Sequence, residues 1–190
     1  METSELIRQI QAYEPFNAQE EADRLALLEL LRQEGELFLR GGPAHMTASA
    51  WVVNKSRTKT LMVYHNIYRA WSWMGGHADG ERDLLSVALR EVREESGICH
   101  LRPVTADIFS LEILTVDGHE KRGQYVSSHL HLNVTYLLEA EEGDPLTVRP
   151  EENSGVQWVP LDEALTLSTE PWFCQRIYAK LNEKLRRERL

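Results

Sequence analysis

One stretch of the chain, residues 75–98, constrains the fold more than any other. It reads GGHADGERDLLSVALREVREESGI, and its apolar residues recur at helical spacing: Leu84, Leu85, Val87, Ala88, Leu89 and Val92. Asp83 favours a helix N-terminus, and Gly97 suits the left-handed residue that ends many helices. The stretch therefore predicts a glycine-rich turn that leads directly into a helix.

Three glutamates near the end of this helix point to its chemistry. Glu91, Glu94 and Glu95 stand at positions i, i+3 and i+4, so they share one face of the helix. Leu84 and Val87 lie on the same face, which places the carboxylates at the edge of an apolar core. There they repel one another and lose solvation. A divalent cation would relieve both costs, and oxygen ligands favour Mg²⁺, with Mn²⁺ as the alternative ion.

The other interpretation of these glutamates is a solvated acidic face, with Glu91 and Glu95 paired to Arg90 and Arg93. The residues at fixed offsets around them favour the metal site. Seven of those residues match the Nudix box, which is a specific motif: Gly76, Arg90, Glu91, Glu94, Glu95, Gly97 and Ile98. Through this motif the chain resembles a Nudix hydrolase.

One position departs from the family pattern. The family has a glutamate where this chain has Arg82, and in the family that glutamate commonly pairs with the arginine of the motif, here Arg90. Glu81 and Asp83 stand one residue to either side of Arg82. Either of them could replace the missing glutamate as the partner of Arg90, and the sequence leaves open whether one does.

The resemblance implies a fold, a reaction and a set of site residues. The implied fold is an α/β/α sandwich with a mixed β-sheet, and the implied reaction is hydrolysis of a diphosphate linkage in a nucleoside diphosphate joined to another group. Arg90 would orient the glutamates through charged hydrogen bonds. The general base stays open among Glu91, Glu152 and water at the metal site. The implied metal ligands are Glu91, Glu94, Glu95, Glu152 and the backbone carbonyl of Gly75.

Several residues outside the glutamate cluster are candidates for the site. Nudix enzymes often carry an additional glutamate on a loop in the region of Glu152, with Glu151 as its neighbour for comparison. The candidates for substrate binding are Gly76, His77 and Trp73. His77 lies within the glycine turn and either approaches a phosphate or satisfies loop backbone groups, and Trp73 either packs in the core or stacks on the substrate. His129 and His131 alternate along a strand and share one face of it, either as a half-exposed sheet surface or as a substrate pocket.

The rest of the chain divides into a helical N-terminal extension, residues 1–43, and a hydrolase domain, residues 44–190. The extension predicts a helix of residues 4–11 and a second of residues 17–39, and we expect it to pack on the core. A dimer contact and a lid over the site are the alternatives. Beyond it, the pattern predicts further helices from Leu161 and Pro171, and strands at residues 48–53, 60–65, 70–74, 106–116, 128–138 and 156–159.

Composition excludes some classes of partner. A net charge of −9 argues against a nucleic-acid polymer, because such binding relies on basic surface. No apolar run approaches the roughly 20 residues of a membrane helix, and the N-terminus does not resemble a signal peptide. Cys99 and Cys174 are isolated, which fits a reducing cytoplasm. We therefore expect a cytoplasmic protein whose partner is a small-molecule diphosphate, with a homodimer as an open alternative.

Two other functions are compatible with a Nudix-type fold. One is a non-catalytic nucleotide-binding module, which a damaged glutamate cluster would indicate, and here the cluster is intact. The other is an isoprenoid diphosphate isomerase, whose chemistry usually needs a cysteine, and neither cysteine here has a supporting motif. The substrate stays open among nucleotide sugars, dinucleotides, nucleoside triphosphates and non-nucleotide diphosphates.

Overall fold

The computed structural model describes residues 2–33, 36–121 and 123–187. The helices are α1 (Thr3–Ala12), α2 (Ala18–Arg32), α3 (Leu84–Ser96), α4 (Ala164–Leu167) and α5 (Ala179–Arg187), which follows a π-helical segment (Phe173–Tyr178). The strands are β1 (Ala44–Asn54), β2 (Lys59–His65), β3 (Ala70–Ser72), β4 (Met74–His77), β5 (Leu101–Pro103), β6 (Ser110–Val116), β7 (His119–Lys121), β8 (Gln124–Val126), β9 (His129–Ala140) and β10 (Asn153–Pro160).

Most of the strands form one mixed sheet. Its main path runs β10-β2-β1-β9-β5, while β3 pairs with β2, β4 pairs with β1 and β6 pairs with β9. The two central strands, β1 and β9, are parallel from Ala44 opposite Leu130 to Asn54 opposite Ala140, and the other pairs are antiparallel. Strands β7 and β8 form a separate small hairpin. The architecture confirms the predicted mixed sheet with helices.

Two apolar cores lie on the two faces of this sheet. Because side chains alternate along β1, Ala48 and Val52 face one side and Trp51 faces the other. The first side packs against α3 and the two N-terminal helices. Trp51 packs in the second core with Tyr178 and the C-terminal helical segment, and the two rings stack 5.5 Å apart. Helices therefore cover both faces, which completes the α/β/α sandwich.

The N-terminal extension is part of the first core. Leu6 and Ile10 of α1 and Leu27 of α2 have no exposed surface. The side chain of Asn17 accepts a hydrogen bond from the backbone N–H of Glu20 at 2.9 Å, which caps the start of α2. The expectation that these helices pack on the core is confirmed. Among the described helices, none is both long and apolar enough to cross a membrane.

A buried ion network joins the extension to the opposite end of the chain. The Nζ atom of Lys180 in α5 lies 3.0 Å from Glu20 of α2 and 2.9 Å from Glu112 of β6. Both carboxylates are fully buried. Tyr13 donates to Glu20 at 2.7 Å, and Lys184 lies 3.5 Å from the same carboxylate. The network therefore links three elements that are far apart in sequence.

The structure corrects the predicted end of α2. The helix ends at Arg32 rather than Leu39. The residues that follow make hydrogen bonds to other segments instead: Met46 donates to the carbonyl of Leu37 at 2.7 Å, and Gly80 donates to that of Phe38 at 2.8 Å. These tertiary hydrogen bonds replace the helical ones, so the helix stops.

The strand predicted for residues 70–74 is two strands. Ala70–Ser72 pairs with β2, whereas Met74–His77 pairs with β1, so the chain changes partners at Trp73. The other predicted strands are present, with shifted ends: the first begins at residue 44, the strand predicted for residues 106–116 begins at 110, and the last spans residues 153–160. These ends follow from pairing with distant strands, which local patterns do not encode.

Candidate active site

Helix α3 has the ends that its sequence predicts. Asp83 caps the N-terminus through the backbone N–H of Ser86, and Gly97 ends the helix with a φ of 73°. Its apolar residues, Leu84, Val87, Ala88 and Val92, are buried in the first core. That packing fixes the orientation of the helix and so aims its glutamate face at the sheet.

The three glutamates of α3 differ in exposure. Glu95 is buried, with 6% of its surface exposed, Glu91 is half-buried and Glu94 is exposed. Arg90 donates to Glu91 at 2.9 Å and lies 4.0 Å from Glu94. The face that the sequence predicts as acidic therefore runs from solvent into the protein, and Arg90 holds its outer part in place.

The glycine turn comes into direct contact with these glutamates. A Cβ atom at Gly76 would lie 2.5 Å from the Cδ atom of Glu91, and one at Gly75 would lie 2.6 Å from the carbonyl oxygen of Ala48. The backbone N–H of Gly75 faces the carboxyl group of Glu95. Only glycine allows the backbone and the carboxylates to approach this closely.

The loop that precedes β10 brings a fourth carboxylate to the same place. Arg149 binds Glu94 at 2.9 Å and lies 3.3 Å from Glu152, while its Nε atom binds Glu151 at 3.0 Å. The buried amide of Asn153 donates to the carbonyl of Glu95 at 2.9 Å. The loop is therefore attached to the end of α3, and Glu152 lies close enough to act on the charges of α3.

Burial and mutual repulsion disfavour the ionised form of the carboxyl groups at this site. Burial raises the pKa of Glu95 well above its ordinary value, and the charges of Glu91 and Glu152 raise it further. Burial also raises the pKa of Glu91, an effect that Arg90 partly offsets and that Glu94 and Glu152 reinforce. A divalent cation held by these oxygen atoms would neutralise the repulsion, so the residues present fit such an ion.

A match to the family model of the NUDIX domain covers residues 43–181. The chain belongs to the NUDIX family. The Nudix motif of the sequence thus lies within a domain that matches the family along most of the chain. The helices α1 and α2 precede the matched region.

Solved Nudix structures share the fold. The Nudix hydrolase RenU from M. smegmatis superposes with a TM-score of 0.52 at 16% identity, over 81% of this chain and 93% of that one. The MutT protein from Methanosarcina mazei Go1 gives 0.51 at 17% identity, over 76% and 95%. A NUDIX-family hydrolase from Clostridium perfringens gives 0.50 at 17% identity, over 73% and 97%. A comparison with curated proteins finds no significant match.

Within the described part of the chain, neither neighbour of Arg82 pairs with the arginine of the Nudix box. Arg90 pairs with Glu91 and Glu94 of its own helix. Glu81 accepts hydrogen bonds from the backbone N–H groups of Arg82 and Asp83, at 2.7 and 2.8 Å. Asp83 is occupied as the cap of α3. The two acids therefore stabilise the turn before the helix. They lie close to the free backbone N–H groups at the start of the helix, and this favours capping over a longer ionic contact with Arg90.

Trp73 occupies the core, which is one of the two positions that the sequence left open. Its side chain is 8% exposed and packs in the second core, edge-on to Tyr178 with ring centroids 6.0 Å apart. That core lies on the face of the sheet opposite α3. Trp73 therefore stabilises the fold and has almost no free surface on which a substrate could stack.

His77 belongs to a histidine cluster in this Nudix domain. The cluster consists of His45, His77, His129 and His131, whose ring nitrogens lie within 4.8 Å of one another. Burial lowers the pKa of His77 to about 2 and that of His131 to about 3, and the neighbouring rings and Arg40 add to both shifts. Sequence reasoning missed His45, because it placed the start of the first strand after this residue.

Proposed function

We propose that this Nudix hydrolase cleaves a diphosphate linkage in a nucleoside diphosphate joined to another group, with Mg²⁺ as its metal and Mn²⁺ as the alternative ion. One observation carries the proposal. The carboxylates of Glu91 and Glu95 and the loop of Glu152 converge on the Gly75–Gly76 turn, where burial and mutual repulsion raise the pKa of both helix carboxyls. A buried set of oxygen donors with excess negative charge is suited to a hard divalent cation.

Each residue of the site has a role in this proposal. Glu91, Glu94, Glu95 and Glu152, with the backbone carbonyl of Gly75, would hold the metal. Arg90 positions Glu91 through its 2.9 Å hydrogen bond. When bound, a divalent cation neutralises phosphate charge and lowers the pKa of water at the site. The general base is either Glu91 or Glu152, or the water needs no protein base.

The glycine turn is the proposed contact for the phosphates, whereas His77, predicted as a further contact, lies on the opposite face of β4 from the glutamates. Gly76 carries no side chain that would exclude a phosphate from the glutamates. The nucleoside part of the substrate is proposed from the resemblance to the Nudix family. Which diphosphate is cleaved is a question for experiment.

Turnover should require a divalent metal. We expect activity of the purified chain with Mg²⁺ or Mn²⁺ on at least one member of a substrate panel, and loss of that activity with a chelator. The panel should include a nucleotide sugar, a dinucleotide, a nucleoside triphosphate and an isoprenoid diphosphate, with products identified by chromatography. Full turnover in the chelator would refute the metal site. Substrate binding without turnover of any panel member would instead support a binding module.

Glu152 and its neighbour provide a matched pair of variants. Glu152→Gln should lower kcat by a larger factor than Glu151→Gln, with little change in the melting temperature. The reason is that Glu152 acts on the charges of Glu91 and Glu95, whereas Glu151 is 61% exposed and contacts Arg149. The measurement is steady-state kinetics of both variants across a range of Mg²⁺ concentrations.

The same pair separates a ligand from a base. If Glu152 is only a metal ligand, its loss should mainly raise the Mg²⁺ concentration needed for half-maximal rate. If it is the base, its loss should flatten the acidic limb of the pH profile of kcat. Equal and small effects of the two variants would mean that Glu152 has no part in the reaction.

A further inference from the structure

A second group of possible metal ligands lies on the opposite side of the sheet from α3. His45 of β1, His77 of β4, and His129 and His131 of β9 come from three adjacent strands. In the register of the sheet, His45 of β1 lies opposite His131. Thr47, the next residue of β1 on the same face, lies opposite His77. Strand pairing therefore assembles the group, whose members are up to 86 residues apart in the sequence.

The spacing of the rings is that of a cluster of ligands. One nitrogen from each ring lies within 4.8 Å of the others. The Nε2 atoms of His129 and His131 are 3.2 Å apart. Two ligands of a tetrahedral zinc ion with Zn–N bonds of about 2.0–2.1 Å are roughly 3.3 Å apart. This pair already has that separation, and the other two rings would have to move closer to reach it.

The ring of His45 is buried without hydrogen-bond partners. It is 4% exposed, and neither ring nitrogen makes a hydrogen bond of normal geometry within the described part of the chain, although the backbone of Gly42 lies nearby. Leaving a buried polar group unsatisfied destabilises the folded state. The ring stacks on His129 at 4.9 Å and lies 5.0 Å from both His77 and His131, so its unsatisfied nitrogens are inside the cluster.

The charges around the cluster are compatible with a cation. Burial lowers the pKa of His45 and of His131, which favours the uncharged form that binds metals. Arg40 acts on the cluster, and it is paired with Asp79 through its Nε atom at 2.6 Å. The pair has no net charge, although Arg40 opposes positive charge at His45 and His77 more strongly than Asp79 favours it.

We propose that His45, His77, His129 and His131 form a transition-metal site, occupied by Zn²⁺ or an ion of similar preference, separate from the glutamate site. Imidazole nitrogens suit zinc, copper, nickel and iron, whereas Mg²⁺ prefers oxygen ligands. The two sites therefore differ in the ion that they select. They also lie on opposite faces of β4, because Gly76 contacts Glu91 and the next residue, His77, points the other way.

The site would stabilise the strands that it joins. A metal bound by all four rings would connect β1, β4 and β9 at the end of the sheet where β4 carries the glycine turn. Binding to the folded state alone raises stability in proportion to the logarithm of metal concentration over Kd. We therefore expect Zn²⁺ to raise the melting temperature of the full chain.

Zinc titration of the full chain tests this proposal. The protein should be free of affinity tags, stripped with a chelator and titrated with Zn²⁺ against a chromophoric competitor. We expect one tight site per chain, retained in the presence of excess Mg²⁺. Substitution of Co²⁺ should give the visible spectrum of a four-coordinate site with nitrogen ligands.

Variants assign the site to the histidines. His129→Ala and His131→Ala should each weaken Zn²⁺ binding by more than about tenfold, since even partners that do not bind the metal change affinity about 10–100-fold. Both residues are half-buried, so their loss is tolerable for folding, and circular dichroism checks this. His100→Ala is the matched control, because His100 is exposed and pairs with Asp144.

A glutamate variant separates the two sites. Glu94→Gln/Glu95→Gln should retain tight Zn²⁺ binding even though it loses the proposed Mg²⁺-dependent activity. The proposal is overturned if the wild-type chain has no tight site or if the histidine variants bind Zn²⁺ like the wild type. It is also overturned if the glutamate variant loses the zinc. A wild-type chain that binds Zn²⁺ at the histidines but hydrolyses no diphosphate would refute only the proposed function.

Discussion

Replacing Glu95 with glutamine should lower kcat by about 100-fold or more, because changes outside the metal-binding shell alone cost about 10–100-fold. Glutamine keeps the shape of the side chain and removes its negative charge. Glu95 is the most buried of the helix carboxylates and faces the backbone N–H of Gly75. Glu94→Gln should show a loss of the same kind. Steady-state kinetics at saturating Mg²⁺ on the substrate found in the panel measure both.

Stability separates a catalytic role of Glu95 from a structural one. In the metal-free protein, Glu95→Gln removes a buried charge that Glu91 and Glu152 repel, so its melting temperature should be equal to or higher than that of the wild type. Glu142→Gln is the control, since Glu142 is an exposed partner of Lys59. Normal turnover of Glu95→Gln, or a fall in melting temperature that explains its lost activity, would contradict the proposed role.

Replacing Lys180 with methionine should lower the free energy of unfolding by about 3–5 kcal/mol, because it leaves two buried carboxylates without their common cation. Lys180 is 4% exposed and lies 2.9 Å from Glu112 and 3.0 Å from Glu20. The loss is a large share of the roughly 5–15 kcal/mol that stabilises a folded protein. Urea denaturation at neutral pH measures it.

The matched control is Lys59→Met. Lys59 pairs with Glu142, but both side chains are about 40% exposed, and such pairs contribute at most about 1 kcal/mol. If Lys180→Met and Lys59→Met have equally small effects, the buried network adds no net stability. Replacing Glu112 by leucine in the Lys180→Met background should recover part of the loss, since it removes one of the unpaired charges.

The effect of Lys180→Met should shrink in acid. Burial tends to raise the pKa of Glu20, but the charges of Lys180 and Lys184, together with hydrogen bonds from Ser110 and the backbone of Phe16, hold it below its ordinary value. A carboxyl group whose pKa is lowered on folding stabilises the folded state at pH values above the pKa of the unfolded state. This stabilisation is lost as the pH falls through the pKa of the folded state. The variant has already lost much of this contribution. The difference in unfolding free energy between the two proteins should therefore fall as the pH is lowered.

The active-site helix could be predicted from the sequence because its determinants are local. Asp83 caps α3 from one residue before its start, and Gly97 ends it in the left-handed conformation. Glu91 and Glu95 share a face because of helical geometry alone. The motif also placed the glycine turn beside the glutamates, and the contact between Gly76 and Glu91 agrees with it.

Pairing between distant segments decided the rest. The parallel register of β1 and β9 sets His45 opposite His131, and no pattern within either segment indicates it. The same holds for Lys180, which finds its carboxylate partners on two elements more than 60 residues away. The sequence alone determined the ends of α3 and its glutamate face, because neighbours along the chain set helix ends and faces. Only the tertiary structure decided which buried charges and rings meet, because strand register and helix packing bring together residues that share no local signal.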